Sequence, residues 1–369
     1  LEFDLNLFLT KFDPNLFLTK DPNLELAHLS RCNSWAMATI SVPELVRSTQ
    51  CLSLEARNDK LRETAADPEN DWESLKNLIL STSNYYITHP DQASTLFETE
   101  IHDLWDQLIQ LAKLTPADDP AHDRLVSLTL WARELGALRI KQNGKDGKLI
   151  TPEGLEVWTD LPYLEEDMQE AWQKSMDLTP VERHNFAAFT ARLMAVGVSD
   201  TGFGLCALWL LRETLETPRP LTKPENGDEI SVAELLPACL AWFEYCNFKL
   251  LRLAVDRDFN GVNFYPHLSA PGELAREADV EQLGFSVPRW LFWRRRFKEL
   301  SRCEDEQVAK KGRQGFDYMI TTGMTLGYKI SGERKYMEKL RAVLEEELIR
   351  SGKDTVTPDD VVVDLDWAD

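Results

Sequence analysis

Apolar residues recur at three- and four-residue intervals from Val42 onward, the period of helices that each bury one face. Trp72, Leu75, Leu78 and Ile79 form one such stripe, with Asp71 placed to cap it. Phe97, Ile101, Leu104, Trp105, Leu108 and Leu111 form a second, and Leu125, Leu128, Trp131 and Leu135 a third. Two tetrapeptides, Thr179-Pro180-Val181-Glu182 and Ser231-Val232-Ala233-Glu234, read as capping boxes. In such a box the hydroxyl accepts from an early backbone N–H while the Glu reaches back to the cap. The first predicts a helix through Met194, the second a long helix reaching Asp256. Further helices are predicted over 288–303, 304–322 and 333–350.

The segments between helices are polar. Residues 141–148 (KQNGKDGK) contain Asn-Gly and Asp-Gly, which favour positive φ and predict a small β-hairpin near 141–150. Residues 217–229 carry three prolines, and 260–284 is the longest irregular stretch, where a short element can hide. The predicted fold is all-α: an irregular multi-helical array of about ten helices, closed by an acidic C-terminal tail.

The first 36 residues break the pattern. Residues 3–11 read FDLNLFLTK, residues 12–20 read FDPNLFLTK, and a degraded third copy begins at Asp21. A nine-residue period repeated only two or three times is read as no solenoid. The opening Leu-Glu-Phe resembles a cloning scar, and Met37-Ala38 makes a natural start. The expected organisation is a spurious leader over 1–36, a single helical domain over 37–351 and an acidic tail over 352–369. An apolar docking segment is the alternative for the leader.

Charge narrows the partners. A net charge of −21 repels phosphate backbones and anionic lipids, so neither nucleic acid nor a membrane is expected. The longest apolar run, 203–211, is far below the ~20 residues of a span. The six cysteines form no Cys-x-x-Cys pair, and Cys206, Cys239 and Cys246 sit in apolar runs. A reducing compartment, cytoplasm or nucleus, fits that usage.

Several segments share a character: Trp158-Thr159-Asp160-Leu161-Pro162, Trp172, the NFAAFTARL stretch over 185–193, and Trp290 to Arg296 (WLFWRRR). In these the chain resembles an uncharacterised family of fungal helical proteins, a domain of unknown function, over roughly residues 70–345. The resemblance implies a filamentous-fungus source and a soluble helical domain. It brings no activity with it.

Candidate chemistry is sparse. Asp256-Arg257-Asp258-Phe259-Asn260-Gly261 matches the first half of an EF-hand loop, making Asp256, Asp258 and Asn260 a weak calcium candidate. The second half fails, because the position of the bidentate Glu is His267. Asp118-Asp119-Pro120-Ala121-His122-Asp123 resembles the aspartate-rich helix of class I terpene synthases, but Pro120 fits a first helical turn capped by Asp118 or Asp119. Glu98, His102 and Asp106 share a helix face that reads as a solvated, charge-paired surface. His122 and His184 read as helix-start or surface histidines. No P-loop, Rossmann or Gly-x-Ser-x-Gly pattern occurs, and no cofactor or resident metal is expected.

Two surfaces suit a protein partner. The helix over 288–300 sets Trp290, Trp293 and Phe297 on one stripe for burial, leaving Arg294 and Arg295 to receive an anionic ligand or acidic partner. In the tail, Val361, Val362, Val363, Asp364 and Leu365 resemble a SUMO-interacting motif, a β-branched core flanked by acids that adds a strand to a partner's sheet. Its alternatives are a solubilising tail and a last strand against the body.

The expected function is a non-catalytic interaction or regulatory protein. The alternative is a small-molecule-binding protein or a cyclase-type enzyme without a motif, in fungal secondary metabolism. Its pocket between helices would be lined by Trp158, Asn185, Arg192, Trp290 and Arg294.

Overall fold

A computed structural model describes residues 68–89, 97–142, 145–223, 229–256 and 266–369. The repeated leader, Met37 and most of the EF-hand-like string lie outside the described residues. Among the described residues the fold is all-α apart from one hairpin.

Helices α1 (Pro68–Thr88), α2 (Phe97–Leu114) and α3 (Pro120–Glu134) pack together through the stripes read from the sequence. Leu75, Ile79, Ile101, Leu104, Trp105, Leu108, Leu125 and Leu128 are buried. Two details differ. Helix α1 starts at Pro68, whose fixed φ suits a first turn, so Asp71 lies inside it and does not cap it. Leu135 falls one residue past α3 and is exposed. Asp119 is the α3 N-cap, with Oδ1 accepting from Ala121 N at 2.8 Å and Pro120 following. That arrangement uses the aspartate-rich string as a helix start.

The hairpin pairs β1 (Arg139–Gln142) with β2 (Lys145–Lys148), antiparallel, with Arg139 opposite Lys148. A turn over 149–163 leads into α4 (Leu164–Gln173).

The centre of the fold is α5 (Pro180–Ala195). Its box is complete: Thr179 Oγ1 accepts from Glu182 N, and Glu182 Oε2 accepts from Thr179 N at 3.0 Å. Buried residues circle it, Arg183, Asn185, Phe186, Phe189 and Met194 among them, as a helix surrounded by others requires. It packs on α2 and on α7 (Val232–Asp256). The α7 box is one-sided: Ser231 N and Oγ both donate to Glu234 Oε2, at 2.9 and 2.8 Å. Between them runs α6 (Thr201–Leu211), apolar throughout, which widens into a π-helical turn over Arg212–Glu216.

Two short helices, α8 (Pro266–Ser269) and α9 (Glu273–Glu277), occupy the stretch expected to be irregular. Then come α10 (Val287–Leu300), α11 (Glu306–Leu326) and α12 (Glu333–Ser351), and 3-10 turns over Pro358–Asp360 and Leu365–Ala368. Helix α11 lies close against α10 because Gly312 and Gly315 face it. A Cβ at Gly312 would sit 2.6 Å from Ser301 N, and one at Gly315 would enter the Phe297 ring.

Candidate functional site

Parts of the two surfaces that the sequence offers to partners meet, Arg294 on the helix and Asp364 and Leu365 in the tail, while Arg295 faces Glu299 at 3.8 Å. Helix α10 presents Trp290, Trp293 and Phe297 to the core, all fully buried. Its other side carries Arg294 and Lys298, and Arg302 follows its end. Segment 364–369 (DLDWAD) lies across these cations. Lys298 Nζ pairs with Asp369 Oδ2 at 2.6 Å and Asp366 Oδ1 at 3.2 Å. Arg302 Nη2 reaches Asp366 Oδ1 at 2.8 Å. Arg294 Nη2 donates to Ser331 O at 2.8 Å and Ala368 O at 3.2 Å, and Lys335 Nζ donates to Asp369 O at 2.9 Å.

The apolar half of the contact has the spacing of a 3-10 turn, where residues three apart share a face. Leu365 and Ala368 are buried against the body. The Trp367 ring lies 6.1 Å from the Tyr336 ring, with Lys339 Nζ 5.8 Å from its centroid. Asp364 caps the turn by accepting from Asp366 N at 2.9 Å. Of the β-branched core upstream, Val361 and Val363 are half-buried and Val362 is 90% exposed. The segment therefore lies on the body as a turn and not as a strand.

Under the turn, Glu333 at the start of α12 seats its carboxyl against Gly323. Burial raises its pKa to about 7, against the opposing pull of Arg294. Both Glu333 oxygens and Arg294 Nη1 lack hydrogen-bond partners among the described residues. Burial in turn lowers the Arg294 pKa.

The proposed lining residues have other neighbours. Asn185 and Arg192 come together at the start of α3. Asn185 Nδ2 donates to Lys113 O at 2.9 Å, and its Oδ1 accepts from Ala117 N at 3.0 Å. Arg192 Nη2 donates to Ala117 O at 2.8 Å, its Nε lies 3.2 Å from Asp123 Oδ1, and its guanidinium stacks 3.9 Å from the Tyr245 ring centroid. Arg192 Nη1 contacts His122 Nδ1 at 2.6 Å. Arginine only donates, so Nδ1 is the acceptor and Nε2 carries the proton that His122 gives to Asn185 O, 3.1 Å away. Of the two positions expected for His122, helix start or surface, it takes the first: it stands in the first turn of α3, fully buried. Burial, then Arg192, lowers its pKa to about 4.

Trp158 lies elsewhere, with Nε1 donating to Ser83 Oγ at 2.9 Å. Trp290 packs on Phe243 and Trp293. The interstice among Leu75, Ile79, Leu104, Trp105 and Leu128 is too narrow to admit a water molecule. Asp256 ends α7 at the surface, while Asp258 and Asn260 lie outside the described residues. Among the described residues no three His, Cys, Asp or Glu side chains gather to hold a metal, and no helix is long and apolar enough to cross a membrane.

Two arrangements are absent from the sequence reading. His102 does not pair along its own helix face. Its Nδ1 donates to Asp167 on α4, at 2.7 Å from Oδ1, and burial raises the Asp167 pKa to about 6. Beside it Trp158, Leu161 and Tyr163 have φ of 68°, 47° and 65°, left-handed values that cost about 1–3 kcal/mol each. Trp105 Nε1, donating to Pro162 O at 2.7 Å, helps hold this corner, and the Tyr163 ring lies tilted against His102 at 4.6 Å. The second arrangement is the buried pair of Glu216 and Arg289. The only signals were the Trp-Thr-Asp-Leu-Pro string for the corner and an unremarked Arg in the basic helix for the pair.

Residues 105–297 match the family described as "Protein of unknown function (DUF3632)". The chain is also 26% identical, over 290 residues, to a protein of Penicillium oxalicum named "Oxopyrrolidines biosynthesis cluster protein G". That alignment covers 72% of this chain and 80% of the relative. No solved structure matches the chain.

Proposed function

The chain belongs to the DUF3632 family, and from that premise we propose that it is a non-catalytic interaction protein serving fungal secondary metabolism. One observation carries the reading: the basic-aromatic helix α10 and the start of α12 together hold an acidic segment, α10 through side-chain pairs and a backbone acceptor and α12 through the Tyr336 ring. That is the chemistry of peptide recognition. The name of the Penicillium relative supports the metabolic setting. Free thiols at Cys206, Cys239, Cys246 and Cys303 support a reducing compartment, cytoplasm or nucleus. The test mixes the purified chain with the purified proteins encoded beside its gene. A stoichiometric complex by light scattering supports the reading. Steady turnover of a pathway intermediate by this chain alone overturns it.

A second reading draws on the same relative and on the left-handed corner beside His102 and Asp167. Strained backbone gathers at functional sites. In it the chain is a small-molecule binder or cyclase-type enzyme with Trp158 among the contacts at this corner, while Asn185 and Arg192 lie apart from it. A thermal shift with pathway intermediates that His102→Ala abolishes would favour it over the first.

A further inference from the structure

We propose that the seat of residues 364–369 is an exchangeable site for an acidic, tryptophan-bearing peptide of a partner protein, held closed in cis by the chain's own Asp364-Leu365-Asp366-Trp367-Ala368-Asp369. The inference deepens the interaction reading and rests on it.

The charge distribution points there first. The chain carries a net −21, yet Arg294, Lys298, Arg302, Lys335 and Lys339 converge on this one short segment. Each of its three carboxylates has a cationic neighbour: Asp364 and Asp366 face Arg302, and Asp366 and Asp369 face Lys298. Lys298 and Arg294 are themselves nine-tenths buried, while Asp366, Asp369 and Arg302 stay partly exposed.

The seat also reads shape. Arg294 holds the Ala368 carbonyl, which any peptide supplies, and Lys335 the main-chain oxygen of Asp369. Leu365 and Ala368 enter the body one 3-10 turn apart, while Trp367 lies on Tyr336. Gly332, at φ +83°, leaves room for the Ala368 carbonyl where any Cβ would overlap it. These features select an acidic peptide with a small residue after its Trp.

The occupant is replaceable. Residues 352–355 and Val362, which lead into it, are exposed, and of the segment itself only Leu365 and Ala368 are buried and must leave the core when it is exchanged. The fit is incomplete as well. Arg294 Nη1 stays unpaired at the floor of the seat although a carbonyl occupies its neighbour. A tethered segment competes at an effective concentration in the millimolar range, so a partner peptide must bind well or arrive when the segment is displaced.

The test is fluorescence anisotropy with a labelled synthetic peptide of sequence VVVDLDWAD, titrated with the full chain. Three forms are compared: wild type, Leu365→Asp with Trp367→Ala to disable the cis segment, and that pair with Lys298→Glu and Arg302→Glu. The expected result is binding at least tenfold tighter to the cis-disabled chain than to wild type, lost on charge reversal, and absent with a scrambled peptide. Should the double variant unfold, Asp366→Asn with Asp369→Asn, which leaves the apolar contacts in place, is expected to tighten peptide binding in the same direction. Equal binding to wild type and cis-disabled chains, binding to neither, or equal binding of the scrambled peptide overturns the proposal. A wild-type chain that runs as a dimer and dissociates when the cis segment is disabled overturns the partner assignment in favour of exchange between copies. Failure of the peptide to bind leaves the broader interaction reading standing, because that reading fails only on turnover by the chain alone.

Discussion

Glu216 and Arg289 close a fully buried ion pair, with Arg289 Nε donating to Glu216 Oε1 at 2.6 Å and Nη2 to Oε2 at 2.9 Å. Every side-chain polar atom of both is used. Arg289 also donates to Ser269 O, Ala270 O and Gly284 O, and Glu216 also accepts from Trp293 Nε1 and Gly272 N. The π-helical turn over Arg212–Glu216 delivers the carboxylate, and the pair pins the 269–284 segment to the body. Breaking such a pair leaves one charge buried alone, which costs about 3–5 kcal/mol. Glu216→Ala is therefore expected to lose about that much in urea unfolding, and Glu216→Ala with Arg289→Met to recover part of it. A loss below about 1 kcal/mol in the single variant would contradict the network's role.

His122 predicts a pH dependence. Its folded pKa, about 4, lies below the ordinary 6.5, so the unfolded chain takes up the proton first. Its contribution is fully present above pH 6.5 and is lost as pH falls toward 4, by up to about 3 kcal/mol. His122→Gln keeps an acceptor for Arg192 and a donor for the Asn185 carbonyl without titrating. The stability difference between wild type and His122→Gln should then slope across pH 6.5–4, measured by urea melts at fixed salt. Parallel curves would show that His122 does not titrate there.

The helices were legible because burial imposes a period. The Phe97 to Leu111 stripe, the Thr179 box and the Asp119 cap each have a local cause that survives in the fold. Alpha8 and α9 were not, since four or five residues hold too little of a period to detect. The DUF3632 match, 105–297, falls inside the span read from Trp-rich strings, because those strings supply the core aromatics. The candidate site was half legible. The basic helix and the acidic segment were both visible, but their mutual contact was not. It depends on a 3-10 turn and on a left-handed glycine far away in sequence. Arg289 looked like any other Arg of a basic helix, and only the tertiary position of Glu216 distinguishes it.

Glu333 predicts the opposite pH trend to His122. Its folded pKa of about 7 lies above the ordinary 4.5, so the folded chain holds the proton more tightly. It costs stability as pH rises from 4.5 through 7, on the order of 2–3 kcal/mol. Glu333→Gln removes the charge and keeps the shape. The variant should melt higher than wild type at pH 8, with the gap closing by pH 4.5. A variant less stable at pH 8 would mean that Arg294 and the helix start hold the carboxylate more strongly than burial opposes it.

Gly332 links α12 to the seat. At φ +83° any Cβ is strained, and here it would overlap the Ala368 carbonyl. Alanine costs about 1 kcal/mol for the backbone, and the overlap adds a steric push on residues 365–368 that flexible side chains cannot absorb. The push falls on the segment and not on α5, which is far from it in the packing order. Gly332→Ala should therefore release the turn locally. Hydrogen exchange should show lost protection at the amides of Trp367 and Asp369, which bond Asp364 O and Asp366 O at 3.3 and 3.2 Å, while the amides of α5 stay protected. Raised salt should deepen that loss, because the pairs from Arg302 and Lys298 to Asp366 and Asp369 are partly exposed and are screened. Unchanged exchange at Trp367 and Asp369 would mean that the segment is held by more than this seat. Uniform loss across the chain would mean that the segment is part of the global core and not a separable closure.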